Sequence, residues 1–129
     1  MNCVLLGERH HDLSASVRGL LETTFGAVFM VADETSLKEG AARLQPTLVV
    51  VDLSLAGGDL PSLLDALRKH APSAKVLLLS VHDESAVVAA ALAAGADGLV
   101  LKREIAAELL TAVDALLAGE RYVSRSVAA

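Results

Sequence analysis

Five side chains able to do chemistry stand where otherwise apolar stretches of this sequence stop. Glu8 and Arg9 follow CVLLG (3–7), Asp52 closes TLVVVD (47–52), Ser80 closes KVLLLS (75–80) and Lys102 closes DGLVLK (97–102). Together they supply two carboxylates, a guanidinium, a hydroxyl and an ammonium. Such a set suits an anionic ligand or a phosphoryl group. The ammonium neutralises developing charge, the hydroxyl donates to an oxygen, and a carboxylate can accept the group. Taken singly, each residue has a plainer explanation. Asp commonly satisfies backbone N–H groups in turns, Ser ends strands routinely, and Lys snorkels to the surface. A carboxylate at the end of a buried apolar run nevertheless needs partners, because burying it alone is costly.

The elements that would position these groups are legible in the hydrophobic pattern. The four runs above and AVFMVA (27–32) are short, rich in Val and Leu, and apolar on both faces, as buried parallel strands are. Helical stretches lie between them. Leu13, Val17, Leu20 and Leu21 share one face of the first, which ends at Gly26. The second starts acidic at Asp33–Glu34 and stops at Pro46. Asp59 reads as an N-cap with Pro61 in the first turn of the third. The fourth runs to Gly95. The fifth carries Ile105, Leu109, Leu110, Val113 and Leu117 at helical spacing. Five strands alternating with five helices predict an α/β doubly wound parallel sheet, a flavodoxin-like (βα)5 fold with strand order 2-1-3-4-5. In such a sheet, sites form at the carboxyl ends of the strands, which is where the five side chains fall.

Composition excludes other classes. At 129 residues the chain is expected to be one domain. With 53% apolar residues but only 2% aromatics, its core must be built from Leu, Val and Ala. The net charge of −5, without clustered basic residues, argues against direct nucleic-acid binding. One cysteine, Cys3, cannot form an internal disulfide and reads as a core residue in a reducing compartment. No run is long enough for a signal sequence or a membrane span, so the expectation is a soluble, cytoplasmic protein without membrane contact.

Four segments, in order, resemble the receiver domain of two-component response regulators, closest to the subfamily with a LuxR-type helix-turn-helix output. VVVDLSLAGGDL resembles the phosphoacceptor strand and loop, which would make Asp52 the phosphorylated aspartate. VLLLSVHDE places Ser80 at the Ser/Thr switch position, and AAGADGLVLKREI places Lys102 at the family's lysine. LLAGERYVSRSVAA resembles the last helix and the start of a linker. The resemblance implies a receiver domain over residues 1–119 and, from 120 to 129, the start of a linker toward a DNA-binding domain. It further implies phosphorelay from a histidine kinase, and DNA contact only through that output domain.

The departures sit at the site. In GERHH, Glu8 takes the first of the family's two acidic positions but Arg9 takes the second, a usual Mg²⁺ ligand. The metal set that remains is Glu8, Asp52 and Ser54. Glu8 and Asp52 against Arg9 and Lys102 sum to zero charge, so Mg²⁺ is expected to bind weakly or not at all. Arg9 either swings out to solvent or occupies the cation's place, and the expected partners of Asp52 are Lys102 and Arg9. Leu99 replaces the usual aromatic switch residue, Ala56 a loop proline, and Arg103 the proline after the lysine. A metal site made of His10, His11 and Asp12 with Glu8 is weighed against a solvated helix start, because adjacent histidines point apart. His82 reads as a loop residue at the site rim.

Two functions follow. One is a phosphorylation-driven switch in which Ser80 and Lys102 bind the phosphoryl group on Asp52. The other is an atypical receiver that works without phosphorylation, as a dimerisation or interaction module. An enzyme is not expected, since no general base is placed beyond Asp52. The fourth helix has no polar residue from Ala86 to Ala94. A helix apolar on every side is normally buried on every side, so a homodimer through this helix is expected.

Overall fold

The computed structural model describes residues 2–128. Its strands are β1 (Cys3–Gly7), β2 (Ala27–Val31), β3 (Leu48–Asp52), β4 (Lys75–Ser80), β5 (Gly98–Leu101) and β6 (Tyr122–Val123). The helices are α1 (His11–Leu21), α2 (Glu34–Leu44), α3 (Leu60–His70), α4 (Ser85–Ala93), α5 (Ile105–Leu117) and α6 (Arg125–Ala128). The sheet order is β2-β1-β3-β4-β5-β6, with every pairing parallel. This is the expected 2-1-3-4-5 order with a sixth strand added beyond β5.

Alternate residues of the central strands feed two cores. Leu5, Val49, Val51, Leu78 and Leu99 join α2, α3 and α4 on one face. Val4, Leu6, Val50, Leu77, Leu79 and Val100 join α1 and α5 on the other. The period of two along a strand produces this division. Asp59 caps α3 as its position implies, accepting from Ser62 N–H at 3.2 Å, and Pro61 lies in the first turn. In α5 the buried face is turned slightly from the expected one. Leu116 is buried while Leu117 is 40% exposed.

The segment expected as the beginning of a linker is docked on the sheet. Gly98 pairs with Tyr122 and Leu99 with Val123. Ser124 is fully buried, donates its N–H to Leu99 O at 3.0 Å, and its Oγ accepts from Leu101 N–H at 2.9 Å. The Tyr122 hydroxyl donates to Glu108 Oε1 at 2.6 Å. Gly98 permits this approach, because a Cβ there would lie 2.9 Å from Tyr122 O.

Candidate functional site

The carboxyl ends of β1, β3 and β5 bring three of the expected residues into contact. Glu8 and Asp52 are 2% and 3% exposed. The Lys102 ammonium lies between them, 3.0 Å from Glu8 Oε2 and 3.1 Å from Asp52 Oδ2. Glu8 and Lys102 directly follow β1 and β5, and Asp52 is the last paired residue of β3, opposite Leu79, so one ammonium can reach two strands. The Lys102 ammonium is the charge partner of the buried Glu8 Oε2.

Asp52 is also held by its own loop. Ser54 Oγ donates to Oδ2 at 2.6 Å and Ser54 N–H to Oδ1 at 3.2 Å, starting the 3-10 turn Leu53–Ala56. Burial pushes the Asp52 carboxyl up, but the Ser54 hydroxyl, Lys102 and the Ser54 amide together outweigh it and leave the pKa below its usual value of 3.8. A depressed carboxyl stabilises the fold above the unfolded pKa, and that contribution is lost as pH falls through the folded value. Ser54→Ala removes one lowering bond. Acid unfolding followed by circular dichroism is expected to shift to higher pH in this variant; an unchanged midpoint would remove Ser54 from the account.

The other expected members stand differently. Ser80 is fully buried, but its hydroxyl donates to His82 O at 3.0 Å and accepts from His82 N–H at 2.9 Å, closing a turn rather than reaching Asp52. Arg9 does not pair with Asp52. Its guanidinium donates to Ser54 O at 3.2 Å from an exposed position, because Lys102 and Ser54 already occupy Asp52 Oδ2. A basic side chain thus covers one of the three groups expected to hold a metal. Glu8 and Asp52 form an acidic cluster of the kind at which receiver domains generally bind Mg²⁺, here with the Arg9 and Lys102 cations beside it.

Of the group His10, His11 and Asp12 weighed with Glu8, only His10 reaches the site. Its backbone N–H and Nδ1 lie 3.2 and 3.1 Å from Glu8 Oε1. One ligand atom each from Glu8, His10 and Asp52 falls within a 4.8 Å spread. The signal was present in GERHH. The chain bends at Arg9, and His10, the N-cap of α1 (φ −82°, ψ 114°), turns back onto the carboxylate two residues before it. His11 and Asp12 are not in this cluster.

Comparison with known proteins agrees with the geometry. The nitrate/nitrite response regulator protein NarP of Escherichia coli K12 is 33% identical over 126 residues, covering 96% of this chain and 59% of NarP. The transcriptional regulatory protein RcsB of the same strain is 27% identical over 129 residues, covering 96% and 60%. The chain therefore spans about 60% of the length of these relatives. A LuxR-family two-component response regulator from Aurantimonas sp. SI85-9A1 superposes with a TM-score of 0.87 at 30% identity, covering 98% of this chain and 91% of that one. Residues 4–114 match the response regulator receiver domain, and the chain belongs to that family, in the company of LuxR-type regulators.

Proposed function

We propose that the chain is a phosphorylation-driven switch with Asp52 as phosphoacceptor. The observation that carries this reading is a buried Asp52 carboxylate at the sheet's carboxyl edge, 3.1 Å from the Lys102 ammonium. A carboxylate oxygen attacks the phosphorus of a kinase phosphohistidine, the P–N bond breaks, and the departing imidazole takes up a proton. Lys102 stays beside the product and balances its charge. Ser80 contributes only after leaving its turn with His82, which couples its rotation to the β4–α4 loop. Receiver domains are signalling modules, and the longer relatives support an output domain of the DNA-binding kind as the target of this switch. The residues from 120 onward lead toward it.

The second reading, an interaction module that works without phosphorylation, draws on Arg9. Its hold on the Ser54 carbonyl supplies a fixed cation where the family uses a metal. Incubation with acetyl phosphate, with Mg²⁺ or with EDTA, followed by intact-mass spectrometry separates the two. The switch reading expects one added phosphoryl group, absent in Asp52→Asn. No added mass under either condition would leave the second reading standing.

A homodimer through α4 belongs to both readings. Val88 and Ala91 face the core, whereas Ala89, Ala90 and Ala93 are exposed. Val87 and Ala90 also line a cavity of about 260 Å³ reaching the Ala56–Gly58 loop. Small side chains permit close approach of a two-fold mate. Ala90→Glu is expected to leave the fold intact and convert a dimer to a monomer in light scattering after size exclusion. A wild type that is monomeric at high concentration would reduce α4 to an alanine-rich surface.

A further inference from the structure

We infer that the free margin of the sheet, strand β2 with the α2 wall beside it, pairs with a second copy of this chain, edge to edge and antiparallel about a two-fold axis at Phe29. This contact is separate from phosphoryl transfer. It is separate also from α4, which packs beside β5, away from β2.

The strand is unguarded. β2 has a neighbour on one side only, and its residues AVFMV carry no charge and no proline, the usual means of blocking such an edge. Phe29 and Met30 are 41% and 39% exposed there. Val31 O accepts from Glu8 N–H at 3.1 Å, so Ala27, Phe29 and Val31 turn their backbone groups toward β1. By alternation, Val28 and Met30 turn theirs to the open side.

That alternation sets a register. An antiparallel mate centred on Phe29 brings Val28 opposite the partner's Met30, and Met30 opposite the partner's Val28. Each of these pairs exchanges two hydrogen bonds. Phe29 stands opposite Leu5 in the β1–β2 register, and Leu5 lies in the core beneath α2. The two Phe29 rings therefore meet on the α2 face as a cross-strand aromatic pair.

The wall beside the strand carries charge that complements itself. A cavity of about 320 Å³ lies between β2 and α2, lined by Leu5, Phe29, Gly40, Glu39 and Arg43 among others. The i,i+4 pairs Arg18–Glu22 and Lys38–Glu34 close at 3.3 and 3.1 Å. Glu39 and Arg43 have the same spacing and are exposed, yet among the described residues neither has an ion-pair partner. A Cβ on Gly40 would lie 3.1 Å from Leu5 Cδ2, so Gly40 marks the level of Phe29, and Glu39 and Arg43 fall on opposite sides of the axis. The two-fold rotation brings Glu39 toward the partner's Arg43 and Arg43 toward the partner's Glu39. A foreign segment needs both charges at that spacing, whereas a second copy has them by symmetry.

Sedimentation equilibrium tests this in the Ala90→Glu chain, so that α4 does not contribute. A contact of one strand and one helix wall is small, so it is read at millimolar concentration, above what size exclusion leaves. The apparent mass is expected to rise with concentration toward twice that of the monomer. Phe29→Lys is expected to abolish the rise, with circular dichroism unchanged because position 29 is exposed. Arg43→Glu is expected to weaken association by about tenfold, and adding Glu39→Arg to it to restore the original strength. Phe29→Cys under oxidised glutathione is expected to form a disulfide-linked dimer, since the facing Cα atoms of such a pair lie about 4.5 Å apart. Leu117→Cys, exposed elsewhere, is expected to stay unlinked. A doubly exchanged chain no better than Arg43→Glu, or equal cross-linking at positions 29 and 117, would overturn the contact. So would a strictly monomeric chain at millimolar concentration, which would leave the groove to a foreign segment.

Discussion

Arg9→Asp is expected to raise Mg²⁺ affinity by about tenfold or more over the wild type. The substitution converts a formal site charge of zero, from Glu8, Asp52, Arg9 and Lys102, into −2. It also releases the Ser54 carbonyl, on which the guanidinium now rests at 3.2 Å, and adds an oxygen ligand. Unscreened contact charges at an effective dielectric of about 20 would predict several kcal/mol. Arg9 is exposed, so solvent and salt reduce that to on the order of 1–2 kcal/mol, which is roughly one decade in affinity. Arg9→Gln separates the contributions, since it removes the cation without adding a carboxylate and should fall between. Calorimetric titration measures all three. Millimolar or tighter wild-type affinity, unchanged by either substitution, would show that Arg9 swings clear and that the charge count is irrelevant.

The second large effect concerns Leu99, which stands where the family usually has an aromatic residue. It is fully buried in the core shared with α4, opposite Leu78 in the β4–β5 register. Its neighbours come from a sheet and a helix that cannot collapse independently, so truncation leaves a cavity. Leu99→Ala is expected to cost about 2–5 kcal/mol in urea unfolding with an unchanged m-value. That is a large share of the stability of an ordinary domain. Leucine has no hydroxyl to exchange partners, so any motion passing through position 99 rests on packing volume alone. A cost below about 1 kcal/mol would mean that the core closes over the gap and that Leu99 holds little in place.

β1, β3, β4 and β5 were legible because each is a run rich in Val and Leu buried on both faces, with a charged or hydroxyl residue at its carboxyl end; β2, expected to be buried likewise, is an edge strand that leaves Phe29 41% and Met30 39% exposed. The same pattern named Asp52, Lys102 and Glu8, since strand ends in this topology converge whatever the family. β6 left no such trace. Tyr122–Val123 is two residues long, and its attachment runs through backbone pairing and the Ser124 hydroxyl, which a hydrophobicity pattern does not record. Arg9 departs from its expected pairing with Asp52 for a different reason. A long, flexible side chain chooses among nearby acceptors, and the Ser54 hydroxyl had already taken the Asp52 oxygen it was expected to meet. Adjacent histidines point apart, which argues against a joint site, but the partner of His10 is Glu8, two residues back. For Leu117, a small error in helical phase was enough to exchange it with Leu116.

The docking of residues 122–124 also bears on how the molecule opens. A two-residue strand at a sheet margin is among the least protected units of a fold, and such units exchange their amides by local opening far below the global unfolding energy. Here the unit is bonded to the N–H of Leu101 through Ser124, and Lys102 is the next residue along the chain. A fluctuation that frees the margin therefore loosens the anchor of the site's lysine. In the other direction, any group that fixes Lys102 raises the cost of that opening. The docked margin and the charged pocket share one local stability, so the lifetime of one is set partly by the occupancy of the other.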